Sequence, residues 1–287
     1  MPLSRSGWAR HPLAVRFDDL VASLERGASV ELIASCEPQL VYAAPSQLLD
    51  AILDDPAFAE FDSLPVREND KVVGVLRRGE LLAARPRQGK AGVHPTVGDY
   101  MVALDESILI SAETGLLTFI ADADRWPCRL LIKGTRIIGI VTIADLQKLP
   151  VRPVLFVLVT YVELLILEVL RARFGGDDVW MGALNPDRRG RVENKWRKLR
   201  NGNLAIDKLT ATEFGDKVDV LLRTVRFPDI PPGPARRELV WIEELRNSVT
   251  HAGDYALTPA NARKTVETVR AARLWIDRLG RILRAEP

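Results

Sequence analysis

The run Val154–Leu170, VLFVLVTYVELLILEVL, constrains this chain more than any other segment. At about 17 residues it sits at the lower limit for a helix that crosses a bilayer. Glu163 falls near its middle and Glu168 near its end. A carboxylate at mid-span costs roughly 2.5–3.5 kcal/mol on insertion scales, and no second apolar run offers to pair it. The segment therefore reads as a helix apolar on nearly every side, which must be buried in a core or at a subunit interface. One chain offers few obvious elements to cover it all round. The expected cover is a second copy, with Leu165 and Leu167 inside a homodimer interface.

The same run marks a change of texture. Before it lie short β-branched runs separated by turns: Lys71–Leu76, Leu130–Ile132 and Ile137–Ile143. After it the pattern is helical, with Trp196, Leu199, Leu204 and Leu209 spaced among charges. Pro150 and Pro153 stop whatever precedes them, so a boundary falls near residue 150. Charge divides at the same place. Of 40 Lys+Arg and 38 Asp+Glu, residues 1–150 hold 16 and 20, a balance of −4, and residues 151–287 hold 24 and 18, a balance of +6. A basic second half favours an anionic partner.

Within the first half, Arg85–Pro95 is rich in Gly, Pro and basic residues and reads as a linker between two similar segments. The first is a helix over Ser46–Phe61, then Leu64-Pro65-Val66, a turn at Glu68-Asn69-Asp70, and VVGVLRRGEL. The second is a helix over Glu113–Ala123, then Trp126-Pro127-Cys128, a turn at Lys133-Gly134, and IIGIVTIADL. Gly74 precedes Glu80 by the same six residues that separate Gly139 from Asp145. This is an internal repeat of two β-hairpins with helices.

The second copy resembles a CBS domain, and the pair resembles a tandem CBS module over roughly residues 30–150. The likeness rests on Gly139-Ile140-Val141-Thr142-Ile143-Ala144-Asp145, the family's G-h-h-T-x-x-D pattern, and on Trp126-Pro127 where the family's second strand opens. It implies an adenosine nucleotide (ATP, ADP or AMP) as regulatory ligand. Thr142 and Asp145 would hold phosphate and ribose, and residues beside the strand-opening proline, Trp126 here and Leu64 in the first copy, would contact the base. A carboxylate at a helix start can accept from ribose hydroxyls while Thr and the first helical N–H groups donate to phosphate. The same two residues also make an ordinary helix cap, and the two roles can coexist. The first copy departs from the pattern, with Arg77 in the place of Thr and Glu80 in the place of Asp. There Glu80 either reaches a ribose, with Arg77 or Arg78 on phosphate, or stands as solvated charge on a degenerate site.

In the second half the informative string is Arg246-Asn247-Ser248-Val249-Thr250-His251, followed by Gly253 and Tyr255. Leu239, Ile242, Leu245 and Val249 put it on an amphipathic helix. Asn247 and His251 are four apart and share a face. Arg246 and His251 are about 140° apart around a regular helix, so they converge on one phosphate only if the helix ends or distorts there. Gly253 is a plausible stop signal. On residue chemistry alone, a lone His–Arg pair is more often structural than catalytic.

The segment resembles the R-N-x-x-x-H form of the HEPN motif, late in a helical domain of this size, and the likeness covers roughly residues 151–287. It implies a metal-independent endoribonuclease that works as a homodimer, with Arg246, Asn247 and His251 catalytic and Glu163 matching the acidic residue of the family's first long helix. The residue chemistry fits. A histidine can take a proton from a ribose 2′-OH or give one to the leaving 5′-oxygen. An always-charged arginine can bind the scissile phosphate.

Arg188, Arg189, Arg191, Lys195, Arg197, Lys198 and Arg200, interrupted by Trp196, form a basic stretch. Cations around an aromatic ring suit single-stranded RNA, although a solvated helix face has the same composition. Two cysteines, Cys36 and Cys128, form no disulfide framework and favour a reducing, cytoplasmic setting. At 47% hydrophobic and 27% charged, the composition excludes collagen, a disulfide scaffold and wholesale disorder. The expected architecture is an N-terminal extension (1–29), an α+β tandem CBS module of βαββα-type repeats (30–88 and 95–150), and an all-α HEPN-like domain (151–287). The expected function is RNA cleavage under adenosine-nucleotide control. The alternatives are a non-catalytic RNA- or nucleotide-binding regulator, and a toxin held by an antitoxin partner with Tyr255 as a modification target.

Overall fold

A computed structural model describes residues 17–84, 94–175, 178–201, 207–251 and 253–285. The segment 1–16, most of the linker (85–93), His11, Asp177 and Leu204 lie outside the described residues. The first described element is helix α1 (Phe17–Gly27), and the chain divides into two units. Glu25–Val151 is one, and residues up to Leu24 join Arg152 onward as the other.

The repeat unit runs β1 (Ser35–Cys36), α2 (Leu49–Asp54), β2 (Leu64–Glu68), β3 (Lys71–Leu76), α3 (Arg78–Ala84), α4 (Val97–Tyr100), β4 (Val102–Ala103), β5 (Leu109–Ser111), α5 (Leu116–Asp122), β6 (Arg129–Lys133) and β7 (Arg136–Val141). The hairpin β2–β3 turns through Asn69 and Asp70, both at positive φ (47° and 62°), the residue types that tolerate this region best after glycine. The hairpin β6–β7 uses Gly134 at φ 61° for the same bend. The sheets are ordered β2-β3-β4 and β1-β7-β6-β5. Each copy thus lends its first strand to the other copy's sheet: β1 pairs antiparallel with β7 (Ser35↔Ile140, Cys36↔Gly139), and β4 with β3 (Gly74↔Ala103, Val75↔Val102).

This exchange explains the two glycines that mark the repeat. A Cβ on Gly139 would stand 2.7 Å from the Ser35 carbonyl and 2.8 Å from Cys36 Sγ, and one on Gly74 would collide with the Val102 carbonyl. Val75, Ile108, Cys128, Leu130 and Ile140 form a core shared by both hairpins. The helices are shorter than the periodicity suggests. The stretch Ser46–Phe61 yields only α2 and a 3₁₀ turn at Pro56–Phe58, because Pro56 holds Asp55 in extended geometry and the Asp55 carboxylate caps Ala57 N–H at 2.8 Å. The stretch Glu113–Ala123 yields α5, entered through Gly115. Strand β6 opens two residues after Pro127 and pairs in parallel with β5.

The helical unit contains α6 (Val151–Phe174), α7 (Pro186–Asn201), α8 (Phe214–Thr224), α9 (Pro232–Thr250) and α10 (Pro259–Ala285). Pro153 falls in the first turn of α6, where its missing N–H has no helical partner to lose. The helix is long and apolar enough to cross a membrane, yet 61% of its most apolar window is buried inside this chain. Val154, Leu155, Leu158, Val159, Val162, Ile166, Val169 and Leu170 are buried, as are Leu165 and Leu167. This corrects the expectation that a second copy is needed to cover it, because the chain's own helices do most of that work. What stays open is a stripe with i, i+4, i+8 spacing: Phe156 (42% exposed), half-buried Thr160 and Leu164 (40% exposed). Trp275 of α10 anchors the core. Its indole N–H donates to Glu238 at 2.9 Å and its ring meets Phe227 edge-on at 4.9 Å.

Candidate functional site

A carboxylate on a helix as apolar as α6 needs partners, because an unpaired buried charge is costly. Glu163 has two. Lys217 Nζ of α8 lies 3.0 Å from its Oε1, and Arg246 Nε of α9 lies 2.9 Å from its Oε2. Lys217 is itself buried and donates a second hydrogen bond to the Thr212 carbonyl at 2.9 Å. Burial pushes its ammonium below the ordinary lysine range, an effect that Glu163 partly offsets. Arg246 remains 35% exposed. With Nε held by Glu163, its Nη edge makes, among the described residues, a long 3.4 Å hydrogen bond to Asn247 Oδ1. The arrangement presents a guanidinium in fixed orientation with its bidentate edge little used.

Other charges surround the triad. Glu243, one turn before Arg246 on α9, has its carboxyl pushed up by burial, against a hydrogen bond from Gly215 N–H and the nearby Arg246 charge. Arg188 of α7 bridges Asp216 at 2.6 Å and Glu213 at 2.8 Å. Lys195 of α7 is close enough to act electrostatically on both Glu213 and Lys217. One side of the helical unit therefore carries Arg246, Lys217 and Lys195 around the partly buried Glu163 carboxylate, with Glu243 beside them.

Helix α9 ends at Thr250, and His251 is its C-cap at φ −104°, ψ 23°, off the helical path and exposed. Its backbone N–H still reaches the Asn247 carbonyl at 3.0 Å. The terminus is held from outside: Arg152 Nη1 donates to the Ser248 and Val249 carbonyls, and Nη2 to the Gly253 carbonyl, each at 3.1 Å. These are the last-turn acceptors that a helix end leaves orphaned. Gly253 N–H closes onto the Ser248 carbonyl at 2.8 Å. The helix thus stops where Gly253 suggested. Arg246 meets Glu163, while His251 stands five residues on, at the helix exit. Asn247 is exposed and its carboxamide oxygen accepts a long hydrogen bond from Arg246 at 3.4 Å.

Lys217 is the residue that sequence reading missed. Its segment FGDKVDVLLRT looks like an ordinary amphipathic helix, and only tertiary packing takes the ammonium inside. Tyr255 is also different from expectation. It is 7% exposed, its hydroxyl is buried without a hydrogen-bond partner among the described residues, and the Arg152 guanidinium lies 5.2 Å from its ring centroid. A buried hydroxyl is a poor modification target.

On α7, Arg189, Arg191, Lys195, Arg197 and Lys198 are all exposed. Arg189 and Arg197 border an open cleft with Glu193 and Asn194, and Arg189 donates to the Leu184 carbonyl at 3.1 Å. Trp196 is not a bare stacking platform, because Arg200 and Lys208 stand over its ring at 5.0 and 5.1 Å.

In the repeat unit, Thr142 and Asp145 form a capping box at the turn after β7. Asp145 Oδ2 accepts from Thr142 N–H at 2.7 Å and from its hydroxyl at 3.2 Å, and Lys148 Nζ lies 2.7 Å from Oδ1. A carboxylate has about four acceptor positions. Three are filled, so a ribose diol would have to displace Lys148. Leu64 is 1% exposed within the core of Ala43, Leu49, Ile52 and Val66, so any contact it makes to a ligand is through its backbone. Glu80 is exposed and lies 3.6 Å from Arg77. Arg78 is spent on the Ile52 and Leu53 carbonyls (3.2 and 2.8 Å) at the end of α2, which removes it as a phosphate ligand. Trp126 is half-buried in the bend before β6. Next to it, Cys128 is buried with its thiol pushed up by desolvation, despite a hydrogen bond with Ser63.

No known protein-family profile matches this sequence, and no curated protein matches it. Among solved structures, the chain is similar to the CBS domain of a bacterial CNNM/CorC family Mg2+ transporter in complex with ATP (14% identity, 44% of this chain and 89% of that one, TM-score 0.35). It is similar to CBSX2 in complex with AMP (20% identity, 45% and 97%, TM-score 0.35), a CBS-pair protein from Arabidopsis thaliana. A third likeness is to a hemolysin-like protein containing a CBS domain from Oenococcus oeni PSU (12% identity, 44% and 93%, TM-score 0.34).

Proposed function

We propose that this chain is an RNA-cleaving effector of HEPN type joined to a CBS-type sensor of adenosine nucleotides. The observation that carries the reading is the Glu163–Arg246 pair beside a helix that ends at His251. With its Nε on Glu163, Arg246 can offer both Nη groups to a non-bridging pair of phosphate oxygens and stabilise the charge that builds there in the transition state. His251 is exposed and free to approach a ribose. It would take the 2′-OH proton as base, or return one to the departing 5′-oxygen as acid. The attacking oxygen is then the substrate's own, and the product ends in a 2′,3′-cyclic phosphate. Glu163 and Lys217 act as positioning residues for Arg246.

The stripe Phe156–Thr160–Leu164 lies on the same helix as Glu163 and is the surface we assign to a homodimer contact, which would bring two copies of the site together. Arg191, Lys195, Arg197 and Lys198 supply a cationic approach for the RNA strand. Thr142 and Asp145 are the proposed phosphate and ribose ligands of the sensor, and the nucleotide would displace Lys148 from the Asp145 carboxylate.

A second reading has its own support. No hydrogen bond orients the His251 imidazole among the described residues, as suits a chain that binds RNA without cutting it, or a toxin completed or blocked by a partner protein. The test is cleavage of a single-stranded RNA in EDTA by wild type, Arg246→Ala and His251→Ala. A loss of roughly 10²–10⁴ in rate for either variant, with unchanged circular dichroism, supports the nuclease. Equal rates in all three proteins overturn it.

A further inference from the structure

Attack by a ribose 2′-oxygen needs two proton transfers, one off the 2′-OH and one onto the departing 5′-oxygen on the far side of the phosphorus. His251 can serve one of them. The helical unit offers a carboxyl for the other. Glu243 is half-buried on α9, three residues before Arg246 and therefore its neighbour on the helix surface. Its carboxyl lies against the start of α8: Gly215 N–H donates to it, and a Cβ on Gly215 would stand 3.4 Å from Oε1 and 3.6 Å from Oε2. Glu163, Asp216 and Glu213 around it are each paired with a cation, whereas Glu243 makes no ion pair among the described residues. The two arginines whose charges reach it are already engaged, Arg246 by Glu163 and Arg188 by Asp216 and Glu213.

Position along α9 separates the two proton-transfer groups. The chain order is Glu243, Arg246, His251. By the helical rise, Glu243 stands about 4.5 Å before Arg246 along the axis and the helix exit at His251 about 7.5 Å beyond it. A phosphate on the Nη edge of Arg246 thus has a carboxyl toward one end of the helix and an imidazole toward the other, the layout that an in-line displacement asks for. The groups that face the Glu243 carboxyl are Gly215 N–H and Asp216 of α8, Arg188 of α7 and Arg246 of its own helix. The N–H and the guanidinium charges favour its ionised form, while burial and Asp216 oppose it. Burial is the largest of these effects, so the carboxyl keeps its proton to a higher pH than an ordinary glutamate. A carboxyl that keeps its proton can donate it.

We propose that Glu243 is the general acid of the cleavage step and His251 its general base. This rests on the nuclease reading and gives that site its second proton-transfer group. The 2′-oxygen bonds to phosphorus as its proton passes to the His251 imidazole. The bond from phosphorus to the 5′-oxygen breaks, its electron pair stays on that oxygen, and the oxygen takes the Glu243 proton. The products are a 2′,3′-cyclic phosphate and a 5′-hydroxyl. The protein is left with an imidazolium and a carboxylate, which exchange protons with water before the next turnover.

The test uses the full chain, with and without AMP or ATP, on two RNA strands. One has a mapped cut site, and the other is identical except that sulfur replaces the 5′-bridging oxygen at that site. A thiolate departs without a proton, so the sulfur strand does not need the acid. Glu243→Gln keeps an oxygen that can accept from Gly215 N–H, and circular dichroism checks its fold. It should cut the oxygen strand roughly 10²–10⁴ more slowly than wild type and the sulfur strand at close to the wild-type rate. His251→Ala should be slow on both. The wild-type rate on the oxygen strand should fall as pH rises through the Glu243 titration, and that fall should vanish on the sulfur strand. This last comparison needs no variant and decides the question if Glu243→Gln does not fold. Equal rates for wild type and Glu243→Gln on the oxygen strand, an equal loss on both strands, or the same pH profile on both would overturn the general acid and leave the nuclease standing. Wild type that cuts neither strand would remove the nuclease, and the role of Glu243 with it.

Discussion

Lys217 shows how much of the site depends on a single buried ammonium. Lys217→Met leaves Glu163 with Arg246 as its partner and the Thr212 carbonyl without its donor, so it should lower the urea midpoint by an amount corresponding to about 1–3 kcal/mol. Lys217→Arg, which keeps the charge, should recover part of the loss. The pH dependence has a definite sign. Because burial lowers the folded-state pKa of Lys217 beneath its ordinary 10.5, the folded chain gives up this proton before the unfolded chain does. Stability from this group therefore rises as pH climbs through the folded pKa toward 10.5, and falls again as pH is lowered. Alkaline denaturation of Lys217→Met should lack that rise, and an identical pH profile in both proteins would contradict the burial. Glu163 was legible in the sequence because a carboxylate in an apolar run demands a partner. Its lysine was not, because periodicity says which face of α8 is apolar but not which polar residue is carried inside with it.

At the level of elements, α6 separates two substitutions that look alike in sequence. Leu165 is 4% exposed inside the chain, so Leu165→Asp buries a charge and should unfold the helical unit. Phe156→Asp with Leu164→Asp changes only the open stripe. That pair should convert a dimer to a monomer by light scattering while helical circular dichroism is retained. A monomeric wild type at micromolar concentration would remove the dimer contact from the proposal. In the repeat unit the hairpins, their turns and the matched spacing of the two glycines were legible from local pattern, whereas the close strand approach that requires those glycines was not. The strand exchange was not, because β1 is two residues long and pairs with a strand about a hundred residues away. Competition at Asp145 also belongs here. Asp145→Ala should lose about 1 kcal/mol of capping stability together with adenosine-nucleotide binding, whereas Lys148→Met should bind the nucleotide more tightly than wild type. Calorimetry that finds no nucleotide bound by either wild type or Lys148→Met would leave the capping box as the whole role of Thr142 and Asp145.

For the whole molecule, the division near residue 150 was visible in texture and charge, whereas the string Arg246–His251 drew notice through its resemblance to a family motif and not by residue chemistry alone. What the three-dimensional structure adds is the reason the arginine is oriented: an acid from α6 and a lysine from α8, about 83 and 29 residues away in sequence, meet it in a half-buried cluster. The chemistry assigned to that cluster makes the 2′-oxygen of the substrate the nucleophile. The most direct measurement is therefore cleavage, in EDTA, of two RNA strands identical except for a single 2′-deoxyribose at the mapped cut site. The all-ribose strand should be cut to a 2′,3′-cyclic phosphate end and the substituted strand should survive at that position. Cleavage of both at equal rates, or of neither by a chain that binds them, would contradict the assignment of Arg246 and His251 to this reaction.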